Sequence, residues 1–291
     1  MSSKPQAIWK TRKLFVGGAF VRSESGRVLV AGGDDSARSE TYSWASRKDL
    51  RDAVSAARAA FDGWAKRTPY LRGQILYRVA EMLEQRATEF AAEISQQTGA
   101  TTTRAVAEVR TSIDRLVYYA GWADKYAGVF SSVNPVATPH FNFTTPEPVG
   151  VVAIVCPDTP SLLAVATLIA ATILSGNTVV VLASETFPLP ALSFAEVLAT
   201  SDVPGGVVNI LAGKRREIAP HVASHMEINS IVDATTDAAS NVVLRGGQSL
   251  NLKRYVSRRL SDADWFTAKA EDPYWILDTV EHKTAWHPIG V

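Results

Sequence analysis

Apolar and polar positions along this chain follow one period in its first third and another in its middle, and each period predicts a different kind of element. Leu14-Phe15-Val16, the pair Gly17-Gly18 and then Phe20-Val21 read as a short strand and turn. A Gly- and Asp-rich linker follows at Gly32 to Ser36. From Ser46 the period becomes helical: Leu50, Val54, Ala57, Phe61 and Trp64 share a face, with Ser46 placed to cap and Asp49 at the positive helix end. Pro69 opens a second helix that buries Leu71, Ile75, Val79, Met82, Phe90 and Ile94 and stops at Gly99. A third helix is expected from about Thr103 to Tyr126.

The period changes again beyond Pro139. Phe141-Asn142-Phe143-Thr144 alternates as a half-exposed antiparallel strand does. Val149 to Val155 is a continuous run of the kind buried on both faces of a parallel sheet. An apolar helix at Leu162 to Leu174 follows, then a strand at Thr178 to Leu182, a helix at Leu189 to Ala199, a strand at Val207 to Leu211, a short helix at Ile218 to Ser224 and a strand at Ile228 to Val232. Strand–helix units of this length predict an α/β fold, a Rossmann-type parallel sheet with flanking helices. The polar, Trp-bearing stretch after Ser257 leads to a last strand around Asp278 to Trp286 with a mixed face.

Composition narrows the classes rather than changing them. Apolar residues make up 46% and charged residues 20%, as in an ordinary globular protein. A formal net charge of +1 and the lack of any charge block argue against a nucleic-acid footprint, despite Lys253-Arg254 and Arg258-Arg259. Cys156 is the single cysteine, which excludes an internal disulfide framework and a thiolate-rich zinc site and suits a cytoplasmic, reducing setting. Met1 to Lys13 has no apolar core stretch, so no signal peptide is expected. Pro157-Asp158-Thr159-Pro160 and Gly176-Asn177 break the apolar region Val149 to Ala183 into pieces shorter than the roughly 20 residues of a membrane span.

Three ordered motifs carry a resemblance. Glu147-Pro148-Val149-Gly150-Val151-Val152, then Leu174-Ser175-Gly176-Asn177-Thr178-Val179-Val180, then Val203-Pro204-Gly205-Gly206-Val207-Val208-Asn209-Ile210-Leu211-Ala212-Gly213 resemble hallmarks of the cofactor domain of the aldehyde dehydrogenase superfamily. Leu14 to Gly18 and the Leu50 to Phe61 helix are similar to that family's N-terminus, and Thr279 to Ile289 to its C-terminal strand, which in the family crosses to a neighbouring subunit. The resemblance spans about residues 13–257 and 275–290. It implies residues 1–135 as the N-terminal strand and helices of the cofactor-type domain and 149–257 as the Rossmann-type sheet. A small antiparallel oligomerisation element then comprises 136–148 and 275–291, and 258–274 is a connector in place of the catalytic domain.

Position by position, the family's chemistry is expected to be missing. Alignment on Asn251-Leu252-Lys253-Arg254 puts the general-base glutamate at Arg258, and a guanidinium accepts no proton. The catalytic cysteine would fall beyond Val291, which leaves no nucleophile for the thiohemiacetal step and no catalytic residue to assign. The element that carries the oxyanion amide corresponds to Cys156-Pro157-Asp158-Thr159-Pro160, with Asp158, an acceptor when ionised, in the amide's place. The ribose-binding lysine becomes Leu182, although Glu185 remains, and the diphosphate turn appears as Asp233-Ala234-Thr235-Thr236, whose carboxylate would repel a diphosphate. Cofactor binding at Cys156, Pro157, Asp158, Leu182, Glu185 and Asp233 is therefore expected to be lost, with NAD or NADP the ligand if the pocket survives.

Other candidates read blandly. Cys156 has no basic partner nearby in sequence and suits a small core residue. His221 and His225 have zinc-ligand spacing without an accompanying carboxylate pattern, so a solvated helix face is expected and no metal site. Trp265, Trp275 and Trp286 suit packing or interface anchors. The expectation is a non-catalytic subunit that pairs with a full-length aldehyde dehydrogenase through the strands near Phe141 and Thr284, since open sheet edges need covering. The resemblance supplies an analogue, a two-copy branch in which a cysteine-less copy follows an active one. The face that the catalytic domain would cover should need a partner or be polar. The alternative is a stand-alone NAD(P)-binding oxidoreductase or nucleotide sensor, favoured by the intact sheet pattern and Glu185.

Overall fold

The computed structural model describes residues 11–31 and 40–290; the Gly32 to Ser36 linker and most of Met1 to Lys13 lie outside them. The chain begins with short strands β1 (Thr11–Arg12), β2 (Leu14–Val16), β3 (Ala19–Val21), β4 (Val28–Ala31) and β5 (Glu40–Ser43). β2 and β3 form the expected hairpin through Gly17 and Gly18, both at positive φ. The order β1-β5-β4 makes a small second sheet that the hydrophobic pattern does not predict, because Val28 and Val30 leave its outer face exposed.

Helix α1 (Arg47–Ala65) starts as its cap predicts: the Ser46 hydroxyl accepts the N–H groups of Lys48 and Asp49, and the Asp49 carboxylate accepts the Ser46 N–H at 2.7 Å. The helix expected from Pro69 to Gly99 is divided into α2 (Pro69–Gln85) and α3 (Ala87–Thr98). Arg86 leaves helical geometry between them and spans Glu89 and Glu196 with its guanidinium. Next come α4 (Thr102–Trp122), α5 (Tyr126–Phe130), β6 (Ser132–Asn134) and β7 (His140–Pro148).

The alternating layer follows: β8 (Val151–Val155), α6 (Leu163–Ile173), β9 (Thr178–Leu182), α7 (Leu189–Ala199), β10 (Val208–Leu211), α8 (Arg215–Ser224), β11 (Ser230–Asp233), α9 (Ala238–Gly246), α10 (Gln248–Asn251) and β12 (Arg254–Ser257). One seven-stranded sheet has the order β12-β11-β8-β9-β10-β2-β3, parallel from β12 to β10 and antiparallel through the hairpin. This is the predicted Rossmann-type sheet with one parallel strand more than the pattern shows. β12 is missed because Arg254-Tyr255-Val256-Ser257 is a half-buried edge without an apolar run.

Every residue of β8, β9, β10 and α6 is buried, as strands and a helix covered on both sides require. The C-terminal carbonyls of α6 are satisfied from outside: Trp64 Nε1 donates to Ile173 and buried Arg72 to Leu174. Two motif glycines are needed where backbones meet. Gly150 has φ +126° and a Cβ there would lie 2.4 Å from the Asn229 side-chain oxygen; at Gly206, φ +88°, it would lie 2.6 Å from the Ala56 carbonyl.

After β12 a connector of residues 258–279, with 3-10 turns at Asp264–Phe266 and Ala268–Ala270 and a short helix α11 (Tyr274–Leu277), leads into β13 (Val280–Pro288). Trp265, Ala270, Trp275 and Ile276 are buried, and the two indoles meet edge-on at 5.7 Å. Arg115 of α4 donates to the Thr267 carbonyl at 2.7 Å and pairs with Glu271, the Tyr119 hydroxyl donates to Asp272, and the Arg104 guanidinium lies over the Phe266 ring at 3.6 Å. α11 packs on α6. The connector thus covers part of the α4 and α6 surface.

β13 runs antiparallel to β7 over its whole length, from Val280 opposite Pro148 to Pro288 opposite His140, and the sheet order is β13-β7-β6. The strand that the resemblance sends to a neighbouring subunit here pairs within its own chain. Its residues from Glu281 to Pro288 are exposed, Trp286 by 59%, and Phe141 on β7 by 47%.

Candidate functional site

Ligands of open parallel sheets sit beyond the carboxyl ends of the strands, where the strand–helix turns converge. In this chain the turn after β8 brings Cys156, Pro157 and Asp158 to that edge, the turn after β9 brings Ser184 and Glu185, and α8 starts at Arg215. Cys156 is completely buried, and loss of hydration pushes its thiol up to about 12, with Arg215 opposing and Asp158 adding to the shift. At neutral pH it is a protonated core residue.

Asp158 does not face open solvent as a free charge. Its Oδ1 accepts from the Ser184 hydroxyl at 2.8 Å, the Glu185 N–H at 3.0 Å, the Thr186 N–H at 3.1 Å and Arg215 Nη2 at 2.6 Å. Its Oδ2 takes Arg215 Nη1 at 3.0 Å, so the guanidinium grips the carboxylate with both arms. Partial burial works against the charged form; the hydrogen bonds and field of Arg215, with those of Thr186 and Ser184, outweigh it and hold the carboxyl at about 2. Asp158 is neutralised in place by Arg215.

Arg215 is the site residue that the sequence reading missed. Only 6% of its side chain is exposed, and besides Asp158 it reaches the Cys156 carbonyl at 3.2 Å. A cation at the first turn of α8 opposes the helix dipole. Glu185 compensates by accepting the Arg215 N–H at 2.8 Å and by pairing with Lys214 at 3.3 Å. The basic run Lys214-Arg215-Arg216 after the third parallel strand was the available signal.

Leu182 and Asp233 stand at the same carboxyl edge, the Leu182 carbonyl accepting the Cys156 N–H at 3.0 Å and Asp233 lying opposite Val155, but both side chains are buried. Leu182 is the last residue of β9, and its 2% exposure places it in the core. Asp233 is fully buried at the end of β11 and accepts from Thr235 N–H at 3.1 Å, Asn241 Nδ2 at 2.7 Å and the Tyr255 hydroxyl at 2.6 Å. It therefore fixes its own turn and does not project charge outward. Arg258 grips Asp278 with bonds of 2.6 and 2.5 Å and lies 4.9 Å from the centre of the Trp275 ring. Its backbone N–H donates to the Asp233 carbonyl, so it ties the last parallel strand to the connector. Arg258→Glu would place two carboxylates against each other; we expect a loss of about 2 to 3 kcal/mol in urea denaturation and no aldehyde oxidation.

His221 lies on α8 and His225 caps its end, where the ring accepts the Glu227 N–H. Among the described residues no group of three or more His, Cys, Asp or Glu side chains is placed to hold a metal ion. No helix among them is long and apolar enough to cross a membrane.

The model of the aldehyde dehydrogenase family matches residues 20–255. The chain belongs to the aldehyde dehydrogenase family. It is 37% identical over 225 residues to the cytosolic 10-formyltetrahydrofolate dehydrogenase of Xenopus tropicalis, which covers 75% of this chain and 25% of the relative. It is 33% identical over 243 residues to an aldehyde dehydrogenase of Emericella nidulans, covering 83% and 48% respectively. An aldehyde dehydrogenase of Bacillus cereus solved as its NAD+ complex superposes with a TM-score of 0.80 at 25% identity, over 86% of this chain and 51% of that one. The chain thus spans about half the length of the Emericella and Bacillus relatives and a quarter of the Xenopus one.

Membership raises the question of NAD(P) directly, and three features of the strand ends bear on it. The position the family gives to a ribose-binding lysine holds a core leucine, Leu182. Glu185, the motif residue that remains, spends its carboxylate on the Arg215 N–H and Lys214. The crevice between these turns holds the Asp158–Arg215 pair instead of open polar groups.

Proposed function

We propose that this chain is a non-catalytic member of the aldehyde dehydrogenase family that assembles with an active, cysteine-bearing family subunit and stabilises or regulates it. The observation that carries this reading is the connector of residues 258–279. It leaves the cofactor-type sheet at Arg258, packs Trp265 and Trp275 onto α4 and α6, and delivers β13 to β7. A family member built this way keeps the small three-stranded sheet but interposes no domain between β12 and β13. The guanidinium at the general-base position is committed to Asp278, and the sole cysteine is buried and protonated.

What is retained supports an assembly role. Among the described residues the sheet β13-β7-β6 has an unpaired nine-residue edge at β13 and exposes Trp286, Phe141 and Val133. Long unpaired edges with exposed apolar side chains are a hazard that proteins cover with other chains. A cytoplasmic setting is supported by the single thiol and by the word "cytosolic" in the name of the Xenopus relative. The test is spectrophotometric: the isolated chain, given NAD or NADP and short aliphatic or aromatic aldehydes, should produce no reduced nicotinamide. Turnover by the isolated chain would end the non-catalytic reading, whether Cys156→Ser abolishes it or leaves it intact.

A further inference from the structure

We infer that the dinucleotide crevice of this chain is filled from within: its own carboxylates hold the backbone N–H groups that anions use in such sheets, and the Asp158–Arg215 pair bars NAD and NADP. Rossmann-type layers bind phosphates and ribose at helix N-termini and at the turns after the parallel strands, because unpaired N–H groups and the helix dipole converge there. Each of those turns is satisfied here by a side chain of the same molecule. At α6, Glu108 Oε1 accepts the N–H groups of Leu162 and Leu163 at 2.7 and 3.3 Å. In the turn after β9, Asp158 accepts those of Glu185 and Thr186. At α8, Glu185 accepts the N–H of Arg215. At α9, Asp237 accepts those of Ala239 and Ser240 at 3.3 and 3.1 Å.

A phosphate or ribose entering this edge would have to displace a carboxylate that is already hydrogen-bonded, leave its guanidinium partner only 6% exposed, and bring a second negative charge into the same turn. Loss of a single binding residue would leave an empty cleft. Here the cleft is rebuilt as a structural joint between β8, the turn after β9, and α8. The inference rests on this chain alone and holds with or without a partner. In a mixed complex of the kind proposed above, bound dinucleotide would count the active subunits only.

The test uses the full chain. Isothermal titration with NAD, NADP and their reduced forms should show no saturable binding up to about 1 mM, and thermal unfolding in their presence should not shift. Arg215→Ala with Asp158→Ala, checked for its fold by circular dichroism, should bind the dinucleotide or AMP at least about ten-fold more tightly than the unmodified chain. If that pair unfolds, Asp158→Asn with Arg215→Met takes its place, since the amide oxygen can still accept from Ser184, Glu185 and Thr186 while both charges are gone. Saturable binding to the unmodified chain overturns the inference. So does a folded variant that gains nothing, because the pair would then not be the barrier. Failure to find a mixed complex touches neither result.

Discussion

Asp158→Ala is expected to lower the stability of the chain by about 3 kcal/mol, read as a shift of the urea midpoint at unchanged m-value. The size follows from what is left behind. Arg215, with 6% of its side chain exposed, would retain the Cys156 carbonyl as its one acceptor. The N–H groups of Glu185 and Thr186 and the Ser184 hydroxyl would lose theirs. Removing both members of a buried pair costs less than removing one. The Asp158→Ala, Arg215→Ala double variant should therefore be more stable than Asp158→Ala by about 1 kcal/mol or more, a coupling that a double-mutant cycle measures. A strictly additive cycle would show that the pair is incidental.

The same pair has a pH signature. The carboxyl is held at about 2, below its ordinary 3.8, so the folded state binds its proton less readily than the unfolded chain. Its stabilising contribution is complete above about pH 4 and is lost as pH falls towards 2. It is worth about 1 to 2 kcal/mol once the 35% exposure of the side chain is allowed for. Subtracting the acid-denaturation curve of Asp158→Asn from that of the unmodified chain should isolate this step. A difference that does not change between pH 5 and 2 would contradict it.

Trp265→Ala should cost about 3 kcal/mol and expose the α4 and α6 surface beneath the connector. The indole is completely buried and meets Trp275 edge-on, while Arg115 donates to the carbonyls of Trp265 and Thr267. Its Nε1 has no hydrogen-bond partner, so the variant also removes an unsatisfied donor, which holds the loss at the lower end of the range for a buried Trp. Increased binding of a hydrophobic dye together with the lowered midpoint would show that the connector stands in for a covering domain. A loss below about 1 kcal/mol would mean that this face needs no cover and that the connector is only a tether.

The parallel sheet was legible because burial on both faces leaves an unmistakable mark: β8, β9 and the helix between them contain hardly a polar residue. The Ser46 and Asp49 cap was legible because its partners are three residues apart. β12 and β5 were not, since Arg254-Tyr255-Val256-Ser257 and Glu40-Thr41-Tyr42-Ser43 lack the apolar run that gives buried strands away. The site divides in the same way. Substitutions at Leu182 and Arg258 can be read by position, but where a charged side chain finds its partner is decided in three dimensions. Asp158 and Arg215 are 57 residues apart, and Arg258 meets Asp278 only because the connector folds back. Sequence alone could see that Asp158 and Asp233 were carboxylates at a nucleotide edge; it could not see that one is clasped by an arginine and the other turned inward onto Tyr255 and Asn241.

The assembly role is tested most directly by isolating the tagged chain from its own host under native conditions and weighing the complex by native mass spectrometry. The account predicts a stoichiometric complex with a longer, cysteine-bearing aldehyde dehydrogenase that oxidises aldehydes. The complex should dissociate when charges are placed on one exposed face of the small sheet, as in Phe141→Asp with Val133→Asp. Recovery of the chain as a stable monomer or as a homo-oligomer free of any such subunit would contradict it.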